Sequence, residues 1–156
     1  MKTVGFPISH KENEYRRAIV PTHLKNIEHP ELLYFEKGYG EVLGITDSEY
    51  AACGSRMVSH DEVLSKDIIC DPKIGDADYL EELDHQTIFG WVHATQNKDI
   101  TDKLLVGKLT AFAWEKMFQK GRHVFWRNNE LAGEAAVMHA FQSVSYTHLR
   151  AHETRH

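Results

Sequence analysis

Three side chains whose chemistry suits a carbonyl substrate follow predicted strands of this chain or lie at their ends. They are Arg16, Lys73 and His93. An arginine binds a carboxylate through two parallel hydrogen bonds, a geometry that lysine cannot match. A lysine in a cleft donates to a carbonyl oxygen, and a histidine titrates near neutrality and suits proton transfer. Considered singly, Arg16 and Lys73 are more often exposed loop charges and His93 is more often a hydrogen-bonded structural histidine, and the functional alternative stays open for each.

The elements that must position these side chains alternate between strands and helices. Apolar runs predict strands at residues 3–6, 31–35, 67–70, 87–93 and 109–114. Helix starts are predicted at Pro21 and at two capping boxes, residues 46–49 and 59–62, and the clearest helix at residues 129–142. This alternation predicts an α/β fold, a mainly parallel sheet flanked by helices. Ligands of such sheets bind beyond the carboxyl ends of the strands, where the three side chains are expected.

Composition restricts the class of partner. The chain has 156 residues, which fits one domain, and its net charge of −5 offers no basic surface for a nucleic acid. No apolar run is long enough to cross a membrane, and the first residues lack the features of a signal peptide. We therefore expect a cytoplasmic protein with a small-molecule substrate, no nucleic-acid partner and no membrane partner.

No glycine-rich nucleotide-binding pattern occurs in the chain. Gly38, Gly40 and Gly44 come nearest, but their spacing does not open a helix as a dinucleotide site requires. We therefore expect this chain alone to bind no cofactor.

The last fourteen residues differ from the rest. Residues 143–156 resemble a run produced when sequencing-adapter DNA is translated, so we predict a domain at residues 1–142 followed by a non-native or disordered tail. The tail contains the pattern HETRH at residues 152–156, which matches the H-E-x-x-H pattern of zinc peptidases. Because no third ligand and no supporting shell can follow it, we expect no metal site.

An ordered set of short segments runs through residues 1–142. Its members are NEYRRAIVP at residues 13–21, Gly38-Tyr39-Gly40, Ile45-Thr46-Asp47, Lys73, His93, Trp114-Glu115 and Ala132-Gly133. This set resembles the N-terminal domain of the alanine dehydrogenase and pyridine nucleotide transhydrogenase family, which opens with a strand and an N-E-x-R-x-A-x-x-P loop.

Some positions depart from the alanine dehydrogenases of that family. The family places its lysine in V-K-E-P, whereas this chain has Asp71-Pro72-Lys73-Ile74, and Glu134 stands where those enzymes have arginine. These departures argue against alanine as the substrate of this protein. The opening residues and the segments ELLYFEKGYGEVLGI and ELAGEAAVMHAFQ resemble the N5-(carboxyethyl)ornithine synthase branch more closely. Saccharopine dehydrogenases are further relatives.

The resemblance implies a mechanism. Arg16 would bind the carboxylate of a keto acid, Lys73 would hydrogen-bond its keto oxygen, and His93 would carry the proton. The substrates would be pyruvate and an amine from ornithine or lysine, and the cofactor NADP would be bound by a further domain that follows the helix at residues 129–142. We expect that domain to be missing here and this fragment to be inactive alone. The resemblance also allows the full-length protein to form a homo-oligomer.

Other functions fit the same residues. One alternative is a stand-alone small-molecule-binding module that partners a separate nucleotide-binding chain. Another is an enzyme that acts as an alanine dehydrogenase or resembles saccharopine dehydrogenase.

Overall fold

The computed structural model describes the backbone of residues 1–153 and the side chains of residues 1–144. The chain divides into two compact units, Met1–Lys116 and the residues from Met117 onward, and each is described by itself. Among the helices that the structure describes, none is both long and apolar enough to cross a membrane.

The first unit is built on a six-stranded parallel sheet. Its strands are β1 (Val4–Phe6), β2 (Leu33–Glu36), β3 (Arg56–Val58), β4 (Ile68–Cys70), β5 (Thr87–Gly90) and β6 (Thr110–Ala113). They lie in the order β3-β2-β1-β4-β5-β6, and every neighbouring pair is parallel. The predicted α/β class with a mainly parallel sheet is confirmed. The strand order reverses between β1 and β4, which is where doubly wound sheets bind ligands.

Short helices connect the strands. They are α1 (Pro21–Leu24), α2 (Asp47–Ala52), α3 (His60–Leu64) and α4 (Lys98–Val106), with 3-10 turns at Pro30–Leu32, Glu41–Leu43, Ile74–Asp76, Asp78–Glu82, Ala94–Gln96 and Trp114–Lys116. At the start of α2 the Glu49 carboxylate accepts hydrogen bonds from the backbone N–H and the hydroxyl of Thr46. At the start of α3 only half of the predicted capping box forms, as Ser59 Oγ accepts from the Glu62 N–H.

Aromatic rings fill the core beside β1 and β2. Phe6 stacks on Phe35 with ring centroids 4.5 Å apart, and Tyr39 and Tyr50 pack edge-on to one another at 5.7 Å. Phe35, Tyr39 and Tyr50 are fully buried. Burying one such side chain contributes about 1.5–3 kcal/mol, so this cluster anchors the half of the sheet from which Arg16 emerges.

Two elements differ from the sequence-based expectation. The strand predicted at residues 87–93 ends at Gly90, because the chain turns to pack on the loop after β4, and His93 lies in a left-handed conformation (φ +56°) beyond the strand. The edge strand β3 was not predicted, since its three residues contain no apolar alternation.

The second unit contains a hairpin and a long helix. Strands β7 (Phe118–Gln119) and β8 (Arg122–His123) pair antiparallel across Lys120 and Gly121, whose positive φ values of 50° and 79° suit a two-residue type I′ turn. Helix α5 spans Trp126–Glu153.

Helix α5 extends beyond the helix predicted at residues 129–142. The backbone of residues 143–153 is helical, since this stretch contains neither proline nor glycine. The origin of residues 143–156 stays a prediction, and the side chains of the HETRH pattern at residues 152–156 lie outside the described residues.

Candidate functional site

The loops that follow β1 and β4 carry the first two candidate residues. Arg16 lies in the loop after β1, and Lys73 lies three residues after β4. Electrostatic attraction links the loops, because Lys73 acts on Glu14 and Asp71 acts on Arg16. The loops that carry Arg16 and Lys73 therefore lie near each other where the strand order reverses.

Arg16 is held by a neighbouring carboxylate. Its Nε and Nη2 donate to the two oxygens of Glu14 at 2.9 and 2.5 Å, and its backbone N–H donates to the same group at 2.8 Å. Burial works to raise the pKa of Glu14, but the hydrogen bonds from Arg16 outweigh it and lower that pKa. The Glu14 side chain is buried and that of Arg16 is half-exposed, so the guanidinium is oriented before any ligand arrives.

The adjacent segment is fixed to the aromatic core. The hydroxyl oxygen of Tyr39 accepts a hydrogen bond from the Ala18 N–H at 2.9 Å, and its carbonyl oxygen accepts one from the Nε–H of Arg17. Arg16 and Arg17 line an open groove of about 630 Å³ that is also lined by Leu43. Two arginines and the carboxylate-bearing Glu14 thus line the same groove.

A buried carboxylate supports the loop of Lys73. Asp71 is fully buried, and its Oδ1 accepts the Lys73 N–H at 2.7 Å while its Oδ2 accepts the Tyr79 hydroxyl at 2.5 Å. Burial raises the pKa of Asp71 despite these hydrogen bonds, and burial together with the charge of Asp71 raises the pKa of Tyr79 well above its ordinary value. Because both oxygens of Asp71 accept hydrogen bonds from residues of the protein itself, we infer that Asp71 fixes the backbone of Lys73 and does not contact a ligand.

The side chain of Lys73 faces a more open environment. Its Nζ lies 3.3 Å from Asp76 Oδ2, and its side chain is about a quarter exposed. Lys11 Nζ lies 3.6 Å from the same oxygen. An ammonium group in such a pair keeps three donors and can turn one toward a ligand oxygen.

His93 is positioned by a glutamate of another loop. Glu115 Oε1 accepts the His93 N–H at 2.6 Å, and Oε2 accepts the Val92 N–H at 3.2 Å. Burial works to raise the pKa of Glu115, but backbone hydrogen bonds prevail and lower it. The imidazole of His93 stacks on Trp91 with ring centroids 6.1 Å apart.

Two glycines hold the loops of Lys73 and His93 together. A Cβ at Gly75 would lie 2.1 Å from the carbonyl oxygen of Val92, and one at Gly90 would lie 1.9 Å from that of Asp71. The Gly75 N–H donates to the Trp91 carbonyl at 3.1 Å. The close approach at Gly90 is thus to the backbone of the loop after β4. Among the described residues no hydrogen bond joins the side chains of Lys73 and His93.

Sequence reasoning missed the residues that hold the three candidates. Glu14, Asp71 and Tyr79 were not predicted as partners of the candidates, because the burial of a charge is invisible in a single sequence. Glu115 belongs to the aromatic–glutamate pair Trp114-Glu115, to which the sequence assigned no role. The hint that could have found Asp71 was an acidic residue directly after a buried strand.

The described residues do not fit a dinucleotide. The loop after β1 reads Pro7-Ile8-Ser9-His10, and β1 itself places Gly5 against α3, where a Cβ would lie 2.4 Å from the Val63 carbonyl oxygen. A pyrophosphate needs glycines that let it approach the backbone at the following helix.

The curated proteins similar to this chain include a carboxyethylornithine synthase and alanine dehydrogenases. A N5-(carboxyethyl)ornithine synthase from Clostridium botulinum is 35% identical over 92 residues, covering 58% of this chain and 28% of that protein. An alanine dehydrogenase from Mycolicibacterium smegmatis is 31% identical over 116 residues, covering 72% of this chain and 31% of that protein. The chain thus spans about a third of the length of the curated relatives it matches.

Solved structures share the fold. An L-alanine dehydrogenase superposes with a TM-score of 0.66 at 21% identity, covering 77% of this chain and 34% of the other. A transhydrogenase from Sinorhizobium meliloti superposes with a TM-score of 0.65 at 21% identity, covering 76% and 35%. The family model described as "Alanine dehydrogenase/PNT, N-terminal domain" matches residues 5–127. This chain therefore belongs to the alanine dehydrogenase/PNT family, through that family's N-terminal domain.

Proposed function

We propose that this chain is the substrate-side domain of an NADP-dependent oxidoreductase that joins pyruvate to the side-chain amine of ornithine or lysine. The observation that carries the proposal is the position of Arg16 and Lys73 in the loops after β1 and β4, where the strand order reverses, in a chain 35% identical over 92 residues to an N5-(carboxyethyl)ornithine synthase. NADP is bound by a part of the full-length protein outside this chain.

Arg16 binds the carboxylate of pyruvate. Its guanidinium is oriented by Glu14, so little side-chain entropy remains to be lost when the anion arrives. Pyruvate either displaces Glu14 from the guanidinium or binds to a different edge of the same group. The neighbouring Arg17 adds positive charge to the same groove.

Lys73 donates a hydrogen bond to the keto oxygen of pyruvate. This polarises the carbonyl carbon for attack by the neutral amine, and the oxygen leaves as water when the imine forms. Asp71 fixes the backbone of Lys73, which holds the ammonium near the carbonyl.

His93 moves the proton. It passes the first proton that the attacking amine loses to the former keto oxygen and the second to the departing hydroxyl, so that both amine protons leave in the water; an imidazole suits this task near neutral pH. Glu115 fixes the backbone of His93 by accepting a hydrogen bond from its N–H.

Steady-state turnover of the full-length protein that contains this chain tests the proposal. We expect NADPH oxidation that requires both pyruvate and a diamino acid, with ornithine or lysine preferred over ammonium. Lys73→Ala should abolish this activity, whereas Lys66→Ala, which changes a lysine paired with Glu62, should leave it intact. Absence of amine-dependent oxidation would overturn the proposal.

Alanine dehydrogenase activity is a second candidate. The match to the alanine dehydrogenase of Mycolicibacterium smegmatis covers 72% of this chain, against 58% for the carboxyethylornithine synthase. Oxidation of NADH with pyruvate and ammonium, unaffected by ornithine, would establish this candidate in place of the first.

A further inference from the structure

We propose that His10, Glu36 and His60 form a binding site for a divalent metal ion of the zinc class. Each residue offers one ligand atom, and these atoms lie within 4.8 Å of one another. His10 follows β1, Glu36 ends β2 and His60 begins α3 directly after β3, so three neighbouring strands deliver the donors to the carboxyl edge of the sheet.

The donor set suits zinc. Two imidazole nitrogens and one carboxylate oxygen with an open fourth position are a known arrangement, with ligand bonds of about 2.0–2.2 Å. Such bonds place neighbouring ligand atoms roughly 3.3 Å apart in a tetrahedron. His60 Nδ1 already lies 2.9 Å from Glu36 Oε2, so an ion that replaces the proton between them displaces these two atoms only slightly.

The remaining imidazole can close the site. The side chain of His10 is half-exposed, and its ring stacks on that of His60 with ring centroids 5.2 Å apart and an interplanar angle of 20°. Its Nδ1 lies 3.0 Å from Asp78 Oδ2, which leaves Nε2 for a metal. Imidazole ligands commonly donate their other nitrogen to a carboxylate in this way, which fixes the tautomer.

Further contacts orient the donors. The backbone N–H of Ile8 donates to Glu36 Oε2 at 2.7 Å, and Oε1 of the same carboxylate takes no part in that hydrogen bond or in the one with His60. The ring of Tyr79 packs edge-on to both imidazoles, at 6.4 and 5.5 Å. Next to His10 in the chain, the buried Ser9 Oγ has no hydrogen-bond partner among the described residues.

The proposal departs from the expectation that the chain has no metal site. Positions 10, 36 and 60 match no ligand spacing that sequence alone reveals, because only the parallel sheet brings them together. The site does not depend on the proposed enzymatic function, and its test measures metal binding alone.

Isothermal titration of the 156-residue chain with Zn²⁺ in metal-free buffer tests the site. The background is a variant with His148, His152 and His156 changed to alanine, which removes the imidazoles of the terminal residues. We expect one Zn²⁺ per chain, and at least tenfold weaker binding after His10→Ala or His60→Gln. Circular dichroism confirms that each variant folds.

His85→Ala is the matched control. His85 also pairs with a carboxylate, Asp84 at 2.6 Å, but belongs to no cluster of three ligands. We expect its removal to leave the affinity unchanged, and the visible absorption of bound Co²⁺ to vanish only in the His10 and His60 variants. The proposal is overturned if the background variant binds no Zn²⁺, or if His10→Ala binds it as tightly as the background does.

Discussion

Arg16 and Asp71 show how single residues prepare the site. Arg16 is exposed enough to meet a ligand, yet its guanidinium is held by the buried carboxylate of Glu14. Asp71 is fully buried, and its two oxygens accept hydrogen bonds from the Lys73 N–H and the Tyr79 hydroxyl. The two charges therefore differ in role: the arginine is offered to the ligand, whereas the aspartate fixes the loop that carries the lysine.

Replacing Arg16 by lysine tests the bidentate contact. We expect Arg16→Lys to raise the KM for pyruvate of the full-length protein at least about tenfold, since charged hydrogen bonds contribute about 1.5–3 kcal/mol and lysine lacks the fork. Arg56→Lys, which changes an exposed arginine of β3, should leave KM unchanged. Equal KM values for Arg16→Lys and the parent would contradict the assigned role.

The titration of Asp71 gives a pH prediction. Because burial raises the pKa of Asp71 in the folded chain, the folded state holds this proton more tightly than the unfolded chain does. The free energy of unfolding contributed by this group is therefore fully present below about pH 4 and is lost as pH rises through the folded-state pKa.

Urea unfolding between pH 4 and neutrality measures this effect. The stability of the wild-type chain should fall with rising pH relative to Asp71→Asn, in which the titrating group is absent, whereas Asp84→Asn, at an exposed aspartate, should give no such difference. A wild-type stability that rises with pH relative to Asp71→Asn would show that the sign is wrong.

At the scale of elements, loop packing fixes the distance between the candidate residues. The loops after β4 and β5 touch through backbone atoms, because Gly75 and Gly90 carry no Cβ. Lys73 and His93 each lie within three residues of one of these contacts, so any displacement of the loops displaces both.

Gly75→Ala tests this packing. The added Cβ would lie 2.1 Å from the Val92 carbonyl oxygen, so we expect a loss of about 3 kcal/mol in the free energy of unfolding. The control is Gly133→Ala in α5, where nothing lies within 4 Å and alanine should stabilise the helix by about 1 kcal/mol. Chemical denaturation compares the two variants, and a Gly75→Ala chain as stable as wild type would refute the packing argument.

The parallel sheet was predictable from its apolar runs, since five of its six strands are apolar segments bounded by polar turns. The sixth, β3, was not predictable because Arg56-Met57-Val58 gains its order only by pairing with β2. Of the site, the positions of Arg16 and Lys73 beyond strand ends followed from the fold class. Their partners Glu14, Asp71 and Tyr79 did not, since burial and long-range hydrogen bonds arise only from tertiary structure.

At the scale of the whole molecule, helix α5 exposes apolar side chains. Val137, Phe141 and Val144 follow the spacing i, i+4, i+7, and each is more than half exposed. An apolar face of this kind favours association in water. We expect the 156-residue chain to self-associate at high concentration, and Val137→Lys with Phe141→Glu to reduce this in light scattering. A monodisperse wild-type monomer would contradict the expectation.

The activity of the chain alone is a separate prediction. The described residues do not fit a dinucleotide, so we expect the 156-residue chain to oxidise no NADPH in the presence of pyruvate and ornithine. Spectrophotometry at the nicotinamide absorbance checks this, and a steady NADPH-dependent rate would contradict it.

Identification of the product that the full-length protein forms from pyruvate, ornithine and NADPH tests the central claim most directly. We expect mass spectrometry to detect a secondary amine that links the former keto carbon of pyruvate to the side-chain nitrogen of the amino acid, with one NADPH consumed and one water released. Alanine as the product, or unchanged pyruvate and ornithine, would contradict it.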